Sequence, residues 1–455
     1  MVYPPWYTRY IDNGIYHCKT DIRPAQCASA GLGAAPSSWV SRMSSIISET
    51  GGGRYRLGPE TFSAESPDWQ QILADAHEKK GRPICLCSRA EPQMYVAKIQ
   101  GDYHLKRMPG TGYAHDPSCD SFALPPELSG LGQVDGKAIV TNEAGDTTIK
   151  LDFPLTVRGA RGAPPDNGAG VGANETAEAS PSKLGLLGLL HFLWDAAGLT
   201  LWQPAFARRS WWIVHRELTA AAERAITKSI PLSSVLFVPP SFSVEKKDEL
   251  AAERRQLLHH LQPVKGKPMP LGVLVAELRD MEPSKYGRKF RFKHLPDMAF
   301  FMDQDLCKRF DKIAGDKIRA VEAVEGAHPI VIATFNMNGN YAEIRQIAVM
   351  SVNAQWIPFD HDRELRVIEA MRGRRFTKSL RYNMRVDAPI ANAVLLDTSP
   401  PTAIYCPSEA IDPEAEAELV EIAKEGVYPA WFWSGGDDDM PALPAAQIGS
   451  DQIRS

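Results

Sequence analysis

Two short stretches carry the side chains best suited to chemistry, Cys85-Leu86-Cys87 and His115-Asp116-Pro117-Ser118-Cys119. Three thiols and an imidazole are donors that zinc takes in a tetrahedron, and structural zinc sites fill all four positions with such groups. Between the two pairs, residues 94–99 and 103–108 read as strands about a tight turn at Gln100-Gly101-Asp102. Such a hairpin brings its ends together, so Cys85, Cys87, His115 and Cys119 are expected to bind one Zn²⁺. Met108-Pro109-Gly110-Thr111-Gly112 suits the sharp path that aims His115 inward, since glycine accepts positive φ. The Cys-x-Cys spacing is tighter than the usual zinc knuckle. Unconnected cysteines with a surface histidine are the plain alternative, and an iron–sulfur cluster is the other metal chemistry. With protein on all four positions no place is open for an activated water, so the zinc is expected to be structural. Cys18, Cys27, Cys307 and Cys406 lack comparable partners and read as buried or incidental.

Two further stretches are basic. Arg372, Arg374, Arg375, Lys378, Arg381 and Arg385 crowd into fourteen residues, a local patch that would attract phosphates without sequence preference. The same residues would equally suit a solvated edge that discourages strand pairing. In Ser284-to-His294, Lys285, Arg288, Lys289, Arg291 and Lys293 alternate with Tyr286, Phe290 and Phe292. That pattern fits a surface that stacks bases and grips backbone, or a strand with Phe290 and Phe292 turned into the core. Trp194, Trp202, Trp211 and Trp212 are expected in a helical core, leaving Arg208, Arg209 and Arg216 as binding candidates. His259-His260 is expected at the surface.

The elements that must position these residues follow from periodicity. Helices are expected at 39–47, 68–80, 184–197, 211–228, 363–371 and 413–425. Strands are expected at 137–141 and 147–153, at 271–278 and 289–293, at 330–335 and 343–352, and at 376–382, 393–396, 403–406 and 428–433. Residues 157–183 are almost all Gly, Ala, Pro, Asn and small polar residues, which reads as a linker. The 455 residues exceed one ordinary core, and 44% hydrophobic with 23% charged residues matches a folded globular protein. A formal charge of −4 excludes a chain that is basic throughout. Seven scattered cysteines do not make a disulfide framework, and no apolar run reaches membrane-spanning length, so a cytoplasmic protein is expected. Walker A, Gly-x-Ser-x-Gly and His-Glu-x-x-His motifs are all missing, which leaves ATP hydrolysis, serine hydrolysis and zincin proteolysis without support.

The stretch RPICLCSRAEPQMYVAKIQGDYHLKRMPGTGYAHDPSC, with LLHFLWDAAGLTLWQPAFARRSW further on, resembles the bacterial domain-of-unknown-function family 1173 over about residues 58–433. That resemblance implies a setting on conjugative and integrative mobile elements and no particular reaction. The helix, three strands, helix and strand expected over 363–433 also look like the core of PD-(D/E)xK nucleases. In that fold carboxylates on the second and third strands hold Mg²⁺ beside a lysine. Here Ala391-Asn392 stands where the motif has Pro-Asp, and Ala403-Ile404-Tyr405-Cys406 carries neither carboxylate nor lysine. Glu364 matches a helical Glu used by some of these enzymes, and Asp397 would be a displaced ligand.

The sequence therefore predicts a multidomain α+β protein. Its parts are a zinc-binding module over 1–156, a linker over 157–183, a helical and β middle domain over 184–328, a restriction-endonuclease-like α/β domain over 329–440 and a disordered tail over 441–455. The expected role is binding of nucleic acid, DNA foremost, or assembly of a mobile-element complex, with Arg372, Arg374, Arg375, Lys378, Arg381, Lys285, Arg288 and Lys289 as contacts. Glu364, Asn392, Asp397 and Tyr405 mark a nuclease site that has lost its chemistry. An active nuclease using Glu364 and Asp397, and a scaffold that binds only protein, are the other two readings.

Overall fold

Ile72, Leu73 and Ala76 recur at helical spacing and form α1 (Trp69–Glu78), which buries Leu73 and Ala76. The structure, a computed structural model, describes residues 53–99, 101–142, 146–157, 180–385 and 388–447. The helix expected at 39–47 and most of the expected linker lie outside them. α1 shares a small core, built on Phe62, Leu73, Ala76 and Val96, with three short strands and a hairpin. The strands β1 (Arg54–Leu57), β2 (Glu60–Ser63) and β3 (Ile84–Cys85) form an antiparallel sheet with β1 in the centre. The hairpin joins β4 (Met94–Ile99) to β5 (Asp102–Arg107), in register from Met94 opposite Arg107 to Ile99 opposite Asp102.

After a single turn of helix, α2 (Leu131–Val134), come β6 (Ile139–Thr141), β7 (Thr147–Ile149) and β8 (Thr156–Val157). Next are α3 (Leu186–Ala196), β9 (Leu201–Trp202), α4 (Trp211–Glu223), β10 (Ala225–Thr227), β11 (Ile230–Pro231) and β12 (Leu236–Phe237). α3 is apolar on every face and is accordingly buried from Leu186 to Trp194 apart from Leu187. No helix among the described residues is long and apolar enough to cross a membrane.

A closed barrel follows. Past α5 (Lys247–Leu257) and β13 (Met269–Pro270), its strands are β14 (Gly272–Ser284), β15 (Gly287–Phe292), β16 (Phe300–Asp303), β17 (His328–Asn338) and β18 (Tyr341–Val352). β14 is long enough to serve two neighbours. Gly272 to Glu277 pair with β17, and from Leu278 on, through a bulge before Asp280, the strand pairs with β15. β15 then pairs with β16, β16 runs parallel to β18, and β18 returns to β17. Leu274, Phe290, Phe292, Phe300, Val331, Phe335 and Ile347 fill the interior. The alternate residues Val273, Val275, Ile330, Ile332, Ala348 and Met350 pack outward onto a second core shared with α3 and α4. A wall buried on both faces explains why Gly272 to Leu278 and Pro329 to Phe335 read as nearly unbroken apolar runs.

The amphipathic α6 (Gln304–Glu322) connects β16 to β17 and contributes Leu306, Phe310, Ala314 and Ile318 to the barrel core. Asp303 caps it by accepting from the Leu306 N–H at 2.8 Å. The sequence reading did not include this helix. It also placed a domain boundary at 328/329, whereas β14, β15 and β16 form one barrel with β17 and β18 across that point.

Beyond β19 (Pro358–Phe359) the expected order appears as α7 (Asp362–Ala370), β20 (Phe376–Lys378), β21 (Ala393–Leu395), β22 (Thr402–Tyr405), α8 (Pro413–Glu425) and β23 (Ala430–Phe432). The sheet order is β23-β22-β21-β20-β9, so a strand from the middle region completes it. Residues 441–447 do not form a free tail. Ala442 O accepts from Trp431 Nε1 at 3.0 Å, Pro444 O from Arg374 Nη1 at 2.8 Å, and the Gln447 N–H donates to Asp397 O at 2.9 Å. Residues 448–455 of the expected tail lie outside the described residues.

Candidate metal centre

Cys85 ends β3 opposite Tyr55, and Cys87 follows two residues later. The β4–β5 hairpin then carries the chain back. Gly110, at φ 72°, turns it toward a short 3₁₀ helix over Gly112–Ala114 that delivers His115. The next residues give Cys119, whose N–H donates to the Asp116 carbonyl at 2.8 Å.

The four side chains converge with all ligand atoms within 4.8 Å of one another. Cys85 Sγ lies 3.9 Å from Cys119 Sγ, and His115 Nδ1 lies 3.4 Å from Cys87 Sγ and 3.6 Å from Cys119 Sγ. A tetrahedral zinc with Zn–S of ~2.3 Å and Zn–N of ~2.0–2.1 Å has edges of about 3.8 Å between sulfurs and about 3.5 Å between sulfur and nitrogen. The cluster can therefore hold a metal ion, and its size and donors suit zinc. It is also too tight for a two-iron cluster, which spreads its ligands over separate irons. Backbone N–H groups of Asp116 and Ser121 each donate to a sulfur, Cys87 and Cys119 respectively, at 3.4 Å. His115 Nε2 is buried with no hydrogen-bond partner among the described residues.

Without a cation this is an unfavourable place for thiolates. The Cys85 thiol alongside, and then burial, push the Cys119 thiol up to about 12, and burial pushes Cys87 up as well. A coordinated cation reverses that balance because coordination deprotonates the thiol. His115 is 3% exposed and Cys85 is 1% exposed, which leaves the site closed on the protein side.

The protein-family model described as Protein of unknown function (DUF1173) matches residues 55–436, a span that takes in the metal cluster, the barrel and the C-terminal sheet. The chain belongs to that family. No curated protein and no solved structure matches it.

In this DUF1173 chain four of the six cations expected as a patch over 372–385 are drawn inward rather than displayed. Arg374 makes a two-pronged contact with Asp397, at 2.5 and 2.8 Å. Arg375 donates to Pro117 O at 3.3 Å, Cys119 O at 2.7 Å and Asp120 Oδ1 at 3.1 Å, and also to Gln203. Lys378 is buried against Glu364 at 3.0 Å, and Arg381 reaches Asp360 at 3.1 Å. Arg372 is exposed, and so is Arg385. The correction has a simple physical origin: a run of cations offers the same sequence signal whether its carboxylates are absent or supplied by distant parts of the chain.

The nuclease-like positions are likewise internal. Glu364 is 1% exposed and each of its two oxygens has a partner. Oε1 accepts from Asn392 Nδ2 at 2.8 Å and meets Lys378 Nζ, while Oε2 accepts from the Asp360 N–H at 2.7 Å. Asn392 Oδ1 in turn accepts from the Cys406 N–H at 2.8 Å, so this side chain bridges α7, β21 and β22. Asp397 is engaged by Arg374 instead, and the structure does not bring it into the Glu364 cluster. Tyr405 is buried beside Phe432.

Of the remaining candidates, Phe290, Phe292, Trp194, Trp202 and Trp211 are buried, whereas Trp212 is 42% exposed beneath the Arg216 guanidinium. Arg209 donates to the Leu199 and Leu201 carbonyls and Arg216 is paired with Glu217, which leaves Arg208 as the exposed one of the three. His259 and His260 are exposed. Arg288 pairs with Asp311 at 2.6 Å and Lys289 lies 3.9 Å from Glu282, while Lys285 sits at the β14–β15 turn with its ammonium over the Tyr286 ring. Sequence reasoning missed Tyr341 and Phe301, which stand beside these residues. The Asn338-Gly339 hairpin signal just ahead of Tyr341 was available to find that strand's start.

Proposed function

We propose that the protein binds nucleic acid, carries one structural zinc at Cys85, Cys87, His115 and Cys119, and performs no catalysis itself. The observation that carries this reading is the connectivity of the barrel. Numbered within the barrel, its strands close in the order first, second, third, fifth, fourth, with a helix between the third and fourth. That is the five-stranded Greek-key arrangement of the OB-fold, a barrel much used for oligonucleotides. A fold alone does not assign a function, so the residues on its outer face must carry the detail.

Two further observations support the non-enzymatic part. The zinc ligands come wholly from protein, which leaves no open coordination position. The α7-β20-β21-β22-α8-β23 order resembles that of a nuclease core, but Glu364 is engaged by Lys378, Asn392 and the Asp360 N–H, which Mg²⁺ would have to displace. The mobile-element setting implied by the family resemblance is compatible with such a role and names no residue.

Binding of fluorescently labelled DNA and RNA to the full chain, read by anisotropy across a salt series, tests the proposal. Saturable binding with no Mg²⁺-dependent cleavage is the expected result. Failure to bind any nucleic acid would favour the protein-only scaffold, and robust cleavage lost in Glu364→Ala and Asp397→Ala would return the nuclease reading.

A further inference from the structure

Most of the barrel wall is covered, but one strip is not. Helices α3 and α4 seal the outer side of β14, β17 and the second half of β18. The outer side of β15, β16 and the start of β18 has no such cover, and side chains there are half-buried or exposed. Register places Glu282, Lys289, Phe301, Glu343 and Asn336 in one row across five strands. Phe301 is therefore the aromatic centre of an otherwise polar row. Tyr341, 38% exposed, packs edge-on against it at 5.4 Å between ring centres. At the other end of the strip Tyr286 is 74% exposed at the tip of the β14–β15 hairpin, with Lys285 Nζ 5.0 Å from its ring centre. Tyr286 lies three residues from Lys289, roughly 10 Å along a strand that rises ~3.3 Å per residue.

The charges on this strip are matched. Arg291 is held by Asp280 at 2.7 Å and by Glu282, Arg345 by Glu343 at 2.6 Å, and Lys289 lies near Glu282. Lys285 has no carboxylate partner among the described residues. A duplex presents mainly phosphates and needs an uncompensated basic surface, which this strip does not have. A single strand offers unpaired base faces, and exposed tyrosines with an adjacent ammonium are suited to stacking on them.

We infer that the uncovered strip of the barrel, with Tyr286, Phe301 and Tyr341 as platforms and Lys285 as the phosphate contact, binds single-stranded nucleic acid mainly by stacking. This rests on the nucleic-acid reading above and names its ligand class and its site. Because Lys285 is the cation left over for phosphate, salt dependence is shallow. A single-stranded slope of about −0.7 in log K against log salt per phosphate contact sets the scale.

The test is anisotropy of the full chain with labelled oligo(dT) of about 12 nucleotides, within the site size of one such barrel, and with a duplex of the same length. The single strand should bind more tightly than the duplex, with a slope of about −0.7. Tyr286→Ala and Tyr341→Ala should each weaken it about ten-fold, the range expected for one lost stacking partner, while Tyr341→Phe keeps most of the affinity. Both rings are exposed, so an unchanged melting temperature identifies each variant as folded. Single-strand binding that ignores both alanine variants, preference for duplex, or a slope steeper than about −4 would place the contact elsewhere; that overturns this inference and leaves the nucleic-acid reading standing. Absence of binding to any DNA or RNA overturns both. Binding of a neutral oligosaccharide that the same variants abolish, with none of oligo(dT), would assign the strip to sugars and likewise overturn the inference.

Discussion

Arg375 Nη2 donates to the Cys119 carbonyl oxygen at 2.7 Å, across 256 positions of sequence. The same guanidinium also takes in Pro117 O and Asp120 Oδ1, and Gln203 completes the set. Cys119 belongs to the cluster that could hold a metal ion and Arg375 immediately precedes β20, so one side chain fastens the cluster's loop to the C-terminal sheet. The Cys/His cluster is thus part of a larger joint rather than an isolated staple.

Arg375→Ala should loosen that joint. Hydrogen bonds to a charged group contribute ~1.5–3 kcal/mol each and are not additive, so a loss of about 2–4 kcal/mol is expected. Arg375→Lys should recover less than half, because an ammonium cannot reproduce a planar fork spread over several carbonyls. Thermal unfolding measures the loss, and the rate of zinc transfer to a colorimetric chelator should rise in the alanine variant. An unchanged transfer rate together with lowered stability would show that Arg375 supports the sheet alone.

For the metal itself, elemental analysis of protein purified under reducing conditions should give about one zinc per chain. Cys87→Ser and His115→Ala should each lower occupancy, and removing zinc from the wild type should lower the melting temperature, since site formation is coupled to folding. Normal folding and full stability after removal would refute a structural role.

The Cys/His cluster was legible because its signal is local. Four donors flank one hairpin, and hairpin turns and alternation are short-range patterns; β4 and β5 appear within a residue of their expected limits. α8 lies at its expected residues because Asp412 and Pro413 mark a helix start unambiguously. What could not be read was pairing over distance. Lys378 and Arg374 look like phosphate contacts until Glu364 and Asp397 are seen beside them. Nor does periodicity reveal that β14 and β17 share one barrel, because a run such as Val331-Ile332-Ala333 looks alike in any strand covered on both faces. α6 is a different case: Leu306, Phe310, Ala314 and Ile318 are spaced four apart, and that spacing was available to be read.

The Glu364 cluster makes a sharper test of lost catalysis. Asn392→Asp restores a carboxylate at the nuclease-like position but removes the donor that faces Glu364 Oε1 at 2.8 Å. Two buried carboxylates at that distance cannot both stay ionised. The substitution should destabilise by on the order of 2–4 kcal/mol, with a smaller loss at acidic pH where one of the pair is protonated. Denaturant titration at two pH values checks it. Mg²⁺-dependent DNA cleavage by the variant would instead reveal a latent site and count against the partners of Glu364 as the block.

Acid sensitivity should arise partly where the hairpin meets α4. Glu217 is 8% exposed and accepts from Lys106 at 2.6 Å and from Arg216 at 2.7 and 2.9 Å. Burial alone would raise its pKa, but Lys106 and Arg216 outweigh burial and bring it from 4.5 down to about 2. A carboxylate depressed on folding stabilises the native state above its unfolded pKa, and that contribution disappears as pH falls from about 4.5 toward about 2. At ~1.36 kcal/mol per unit the contribution near neutral pH is on the order of 3 kcal/mol. Glu217→Gln should therefore lower stability by about that amount at neutral pH and by little near pH ~2, since the wild type has by then lost the same charge. Urea titrations of both proteins at several pH values provide the comparison. A gap between them that stays constant down to the acid limit would show that Glu217 acts through packing and hydrogen bonding in either protonation state, and that its charge does not hold the hairpin to α4.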